Sequence, residues 1–216
     1  MNSFSWNLLY PGAKVFDGII IWGAQMTRGP KAPIGKYQVR LKADGKTLTQ
    51  NFEIKMNPNL KGVTEADIKS TFEVASRIRD KETEANEAVI LIRDMRSKLE
   101  TAMKTTSDDH LKTKSESFIK NITAIEEELY QTKNRSSQDP LNFPIKLNNR
   151  IAALRRSLET GDGKPTAGVS KVFDELSKEL SGLQTKLDQV MNAELPGINK
   201  ILEEKGIKSI YLKVRP

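Results

Sequence analysis

From residue 64 to residue 206 the apolar positions recur at three- and four-residue steps, the period of an α-helix with one buried face. Thr64, with Glu65 and Asp67 behind it, marks a helix start, since acidic side chains favour the positive end of the helix dipole. Ile68, Phe72, Ala75, Ile78, Ala85, Val89, Ile92, Leu99 and Met103 then make one stripe with no Gly or Pro between them. The stripe predicts a helix of about 40 residues, about 60 Å long. Ser107-Asp108-Asp109 supplies the next cap, and Leu111, Phe118, Ile122, Ile125 and Leu129 carry a second helix to about Lys133. Leu147, Ile151, Leu154 and Leu158 define a third, ending near Gly161-Asp162-Gly163. Pro165 and Thr166 open a fourth, with Val172, Phe173, Leu176, Leu180, Leu183, Leu187 and Val190 on its stripe. Pro196 is expected to kink or end it, with a short last helix stopping at Gly206. Single stripes joined by mostly short connections predict antiparallel neighbours. The core should hold Ile78, Val89, Ile92, Ile122, Ile125, Ile151, Leu154, Leu180 and Leu187.

Before residue 60 the period changes to two. Tyr37, Val39 and Leu41 alternate with Gln38, Arg40 and Lys42, then Asp44-Gly45 offers a tight turn. A return strand from about Thr47 to Met56 carries Leu48, Phe52 and Ile54 and stops at Asn57-Pro58-Asn59. Upstream, Phe4, Trp6 and Leu8 alternate as a strand that Tyr10-Pro11-Gly12 ends, and Gly18 to Gly23 is a short apolar strand. The prolines and glycines of Thr27 to Gly35 predict a loop. Four strands are too few to close a sandwich, so an open edge is expected, completed by preceding residues or covered by the helices. The expected fold class is α+β, mainly α. Residues 1–60 form a partial immunoglobulin-like β-sandwich, and residues 61–216 an antiparallel bundle of long helices with a short C-terminal tail.

Composition refines this picture in three ways. Aromatic residues are only 6%, which favours aliphatic helix packing over a large sandwich. The net charge of +7 suggests nucleic acid until it is divided along the chain. Residues 1–60 hold eight Lys and Arg against three Asp and Glu, a net of +5, which leaves +2 for the helical part. Its mixed signs suit solvated helix faces, so no nucleic-acid partner is expected. With no cysteine there is no disulfide or thiolate chemistry, and no run of about 18 apolar residues exists to span a membrane. Met1 to Trp6 lacks the basic start and apolar stretch of a signal peptide, so either the protein is cytosolic or its true start lies elsewhere.

Candidate chemistry is sparse. His110 is the only histidine and sits at a helix start, which suits capping or solvent contact. Glu126-Glu127-Glu128 reads as surface charge on a helix, and Gly161-Asp162-Gly163-Lys164 lacks the length of a phosphate loop and the hydroxyl residue after its lysine. No catalytic residue, cofactor or metal ligand is expected. One segment is dense in amides and prolines between two helices: Tyr130, Gln131 and Asn134, then Asp139, Asn142, Asn148 and Asn149. Two readings compete for it. As a rigid elbow, its side chains satisfy backbone groups at helix ends, with Pro140 and Pro144 forcing the turn. The alternating Leu141, Phe143 and Ile145 would then pin it to the helices, and losing Asn142 or Asn148 would cost roughly 1 kcal/mol. As a binding surface, the same amides would face a polar ligand or partner.

Taken in order, several runs carry a family resemblance. Phe4-Ser5-Trp6-Asn7-Leu8-Leu9-Tyr10-Pro11, Gly29-Pro30 with Pro33 to Leu41, and Met56-Asn57-Pro58 resemble the late strands of a β-sandwich. That sandwich follows the propeller of large bacterial proteins with Asp-box (BNR-type) repeats, similar to sortilin-type propellers and often labelled glycosyl hydrolases. Ile78-Arg79-Asp80-Lys81, Asn86-Glu87-Ala88-Val89, Ile92 to Arg96, the Tyr130–Asn149 segment and Pro165-Thr166 resemble the same family's C-terminal helical region. The resemblance covers essentially the whole chain and implies export to the periplasm or beyond, with a propeller preceding the matching region. The propeller's own residues have no counterpart here, so none carries over. The resemblance implies a non-catalytic C-terminal structural or interaction module, or alternatively an accessory region of a glycoside hydrolase-like enzyme whose active site lies in the propeller. The implied partners are that propeller and another protein or a polysaccharide.

Overall fold

The computed structural model describes residues 3–161 and 163–210. Four helices and four short strands follow the order β1 (Leu9–Pro11), β2 (Arg28–Lys31), β3 (Gly35–Ala43), β4 (Lys46–Ile54), α1 (Glu65–Thr105), α2 (Asp109–Leu129), α3 (Leu147–Leu158) and α4 (Ala167–Glu204). The chain is α+β and mainly α. Asp162 and the last six residues, where the short tail is expected, lie outside the described residues.

Each long helix starts where a side chain replaces a missing backbone partner. Thr64 and Asp67 form a reciprocal box at α1: Thr64 Oγ1 accepts from the Asp67 amide at 3.2 Å, and Asp67 Oδ2 accepts from the Thr64 amide at 2.9 Å. Asp108 Oδ1 accepts from the Leu111 amide at 2.8 Å to start α2, and Thr166 Oγ1 accepts from Val169 at 3.3 Å to start α4. α2 ends at Leu129, a few residues before the expected Lys133, because Tyr130 turns to an extended backbone and buries its ring. α4 runs through Pro196 as one helix of 38 residues, so the proline does not end it and the expected short last helix is the end of α4 itself. Leu195 just before the proline and Ile198, Ile201 and Leu202 beyond it are all buried, and that packing outweighs the helix cost of about 3 kcal/mol. Gly206, at φ +67°, ends the following turn.

Side-chain pairs report the directions of packing. Arg93 meets Glu126 and Arg96 meets Thr123, so α2 runs back along α1. Asn121 meets Glu194 and Asp108 meets Lys205, so α4 runs opposite to α2. Glu82 meets Arg155 and Asn86 meets Asn148, which sets α3 opposite to α1. The four helices share one aliphatic core, and all nine residues expected there are buried.

The strands depart further from expectation. They form two separate antiparallel pairs, β1 with β2 and β3 with β4, and among the described residues no sandwich is closed. The stretch Phe4 to Leu8 is not a strand: Leu8 has φ +62°, which breaks an extended run, and pairing begins only at Leu9. Arg28–Lys31, within the expected loop, is a strand instead. Gly12 and Gly29 make this possible, because any Cβ there would collide with the backbone of Thr27 or Tyr10 across the pair. The apolar run Gly18 to Gly23 is also not a strand, and crosses the helices as irregular chain. The β3–β4 hairpin matches expectation, pairing without slip from Gly35↔Ile54 to Ala43↔Lys46. Its turn is Asp44 at φ +48° and Gly45 at φ +72°, the two positive angles a tight hairpin needs.

Candidate functional site

The amide-rich segment and the irregular N-terminal chain meet. Residues 12–26 lie as a strap across α1 and α3, and helix side chains take up its backbone polar groups. Asn149 does so twice, accepting from the Trp22 amide at 2.7 Å and donating to the Trp22 carbonyl at 2.9 Å. This reproduces the two bonds of a strand pair. The Tyr130 hydroxyl accepts from the Ile20 amide at 3.1 Å, and Thr83 Oγ1 from the Lys14 amide at 3.2 Å. Asn86 Nδ2 donates to the Lys14 carbonyl at 2.8 Å, while Asn148 Nδ2 donates to Asn86 Oδ1 at 3.1 Å. Arg155 donates to the Gln25 carbonyl at 3.0 Å, Arg156 to that of Gly23, and Arg79 to that of Pro11 at 3.2 Å. Backbone groups packed against the helices need partners, and here long-range side chains serve where a strand ladder would. That explains why an apolar run bounded by glycines adopts no sheet.

Two buried ion clusters flank the strap. Glu82, fully buried, accepts from Arg155 Nε at 2.7 Å, and the same guanidinium reaches Glu159 at 3.0 Å. Burial pushes the Glu82 carboxyl above its ordinary value, against the pull of Arg155, and burial likewise raises Glu159. Glu126 is 1% exposed and binds Arg93 at 2.6 Å and Arg96 at 3.0 Å. The Arg93 guanidinium also lies over the rings of Phe16, at 4.5 Å, and Tyr130, at 5.4 Å. Phe16 and Tyr130 themselves meet edge to face at 5.0 Å. The strap is thus keyed into a charged group as well as bonded along its length.

The seven residues singled out by sequence divide accordingly. Tyr130, Asn148 and Asn149 are buried and face the strap or its Asn86 support. Gln131 and Asp139 hold the elbow itself. Gln131 Nε2 donates to the Pro144 carbonyl at 2.8 Å, and Asp139 accepts from the Arg135 amide and from the Ser136 amide at 2.9 Å. Those backbone bonds, with one from the Ser136 hydroxyl, hold the Asp139 carboxyl below the usual carboxylate range. Asn134 is buried, with no hydrogen-bond partner for its Oδ1 among the described residues. Asn142 is exposed, and only its backbone caps the short 3-10 turn Asp139–Leu141. The expectation of a stabilising Asn142 amide is therefore corrected. So is the expected anchoring by Leu141 and Ile145, which are 67% and 36% exposed, because Gln131 and the buried Leu147 already fix the elbow.

Glu126 was expected on the surface and is buried, a further correction. Glu82, Asn86 and Arg155 were not singled out. Their signal was present in the stripes: Ile78, Glu82, Asn86 and Val89 step by four, four and three, and Ile151, Arg155 and Leu158 by four and three. Ile122, Glu126 and Leu129 do the same. A charged or amide residue in register with the core is a polar contact waiting for a partner. His110 is exposed, and among the described residues no three His, Asp or Glu converge on a common point.

What remains outward is the hairpin. One face carries Tyr37, Val39 and Leu41 with their cross-strand partners Phe52, Gln50 and Leu48; the other carries Lys36, Gln38, Arg40 and Lys42 opposite Glu53, Asn51, Thr49 and Thr47. Trp6 covers the base of the apolar face, 5.7 Å from Tyr37 and 6.2 Å from Phe52. Beyond it Val39, Leu41 and Leu48 are 50%, 59% and 66% exposed.

Comparison of the chain with protein-family models, curated proteins and solved structures finds no match.

Proposed function

We propose that the chain is a non-catalytic structural and interaction module: the C-terminal region of an exported Asp-box propeller protein. It docks against β-structure of the same parent through the outer half of the β3–β4 hairpin. The observation that supports this reading is the bare apolar face at Val39, Leu41 and Leu48, on a hairpin whose two outer edges have no strand beside them among the described residues. Exposed, regular edges beside an apolar face invite strand addition. Covering each of these side chains is worth about 1–2 kcal/mol. The helical body contrasts with this, because most of its buried charges and amides are engaged with one another and with the strap.

The test mixes the purified chain with the propeller-and-sandwich portion of its parent and follows the mixture by size-exclusion chromatography. The wild-type chain is expected to co-elute with that portion, and the Leu41→Lys, Leu48→Lys double variant to elute alone with unchanged helical circular dichroism. Wild-type chain that elutes alone, or a double variant that still co-elutes, contradicts the reading.

A further inference from the structure

At the base of the hairpin lies a cleft of about 760 Å³, between β2, the start of α1 and the end of α3. Its volume falls among those of small-molecule sites, roughly 300–1,000 Å³. Ile34, Ile54 and Leu60 line it from the β side, and Ile68, Phe72 and Ala75 from α1. The charge around these apolar walls is one-sided. Among the described residues Arg28, Lys55, Arg155 and Arg156 line the cleft with the carboxylate of Glu159. Arg155 is neutralised by Glu82 and Glu159. Arg156 uses one N–H on the Gly23 carbonyl, and Arg28 one on Gln25 Oε1 at 3.4 Å. Arg28 also lies within electrostatic reach of Glu159. A guanidinium has five N–H donors, so among the described residues most of those on Arg28 and Arg156 have no hydrogen-bond partner.

We propose that this cleft binds an amphiphile with one anionic head group and an alkyl tail, of the long-chain carboxylate class. The aliphatic walls take the tail, and the head sits among the guanidinium groups of Arg28 and Arg156, which match a carboxylate's two oxygens. A nucleotide fits less well, since among the described residues Phe72 is the one aromatic side chain lining the cleft. The site is separate from the bare outer face of the hairpin and does not depend on docking there.

Isothermal titration of the chain with dodecanoate, below its micelle concentration, tests this. One saturable site is expected, about tenfold weaker for Arg28→Ala and for Arg156→Ala, the loss of one charged contact. Dodecyltrimethylammonium, with the same tail and the opposite charge, should give no saturable heat. The Leu41→Lys, Leu48→Lys variant should bind dodecanoate as the wild type does, which separates the cleft from the outer apolar face. Circular dichroism confirms that each variant is folded, and because Arg28 lies on an exposed edge its variant remains informative if that of Arg156 is not. The proposal is overturned by absent or non-saturable dodecanoate binding, by equal binding of the cationic amphiphile, by unchanged affinity in both arginine variants, or by loss of binding in the hairpin variant.

Discussion

Asn149 carries more of the structure than its place at the start of a short helix suggests. Its side chain closes both hydrogen bonds on Trp22, so truncation leaves a backbone N–H and a carbonyl without partners. Asn149→Ala should therefore lower stability by about 1–3 kcal/mol, whereas Asn142→Ala, at an exposed position, should stay within about 0.5 kcal/mol of wild type. Urea denaturation of the two variants checks the contrast, and equal midpoints would remove the strap from the account. The pair also shows where residue-level reading of sequence ends. Both are asparagines in one amide-rich segment, and nothing local separates them. The partner of Asn149 lies 127 residues away, and only the fold supplies it. Glu82, Asn86, Arg155 and Glu126 differ in kind, because each breaks an apolar stripe in register and so announces a buried polar contact before any partner is known.

At the scale of elements, the helices were legible and the short strands were not. A helix bonds within itself, so its stripe and caps suffice to define it. Only the hairpin, whose partner strand is two residues away, was equally local. β1 and β2 depend on Gly12 packing against Thr27 and Gly29 against Tyr10 across a long connection, and the strap replaces a ladder with side chains of the helical part. Caps also join elements, as at the start of α2. Hydrogen bonds from Lys205 and from the Leu111 amide hold the Asp108 carboxyl below the usual carboxylate range, and Asp108 in turn raises the Lys205 ammonium. The lowered carboxyl contributes stability above its unfolded value of about 3.9, lost as pH falls through the folded value. The raised ammonium contributes below its unfolded value of about 10.4, lost as pH rises through the folded value. Asp108→Asn should thus flatten part of the stability loss at both ends of the profile. Urea midpoints measured from pH 2 to pH 11 check this, and a variant profile parallel to wild type would contradict it.

At the scale of the molecule, polar satisfaction is unevenly distributed. The strap and helices hold most of their buried charges and amides in mutual contact, while the hairpin carries apolar side chains and strand edges outward. A module of this kind gains more from covering its hairpin than from any change in its core. Hydrogen exchange, read residue by residue on the chain alone and with the propeller-and-sandwich portion of the proposed parent, tests that division most directly. On the chain alone, the Ile20 and Trp22 amides should be protected to the level of the core helices, and the outer-edge amides of β3 and β4 should exchange quickly. Adding the partner should slow the hairpin amides and leave Ile20 and Trp22 unchanged. Fast exchange at Ile20 and Trp22, or a hairpin whose exchange the partner does not alter, would contradict the account.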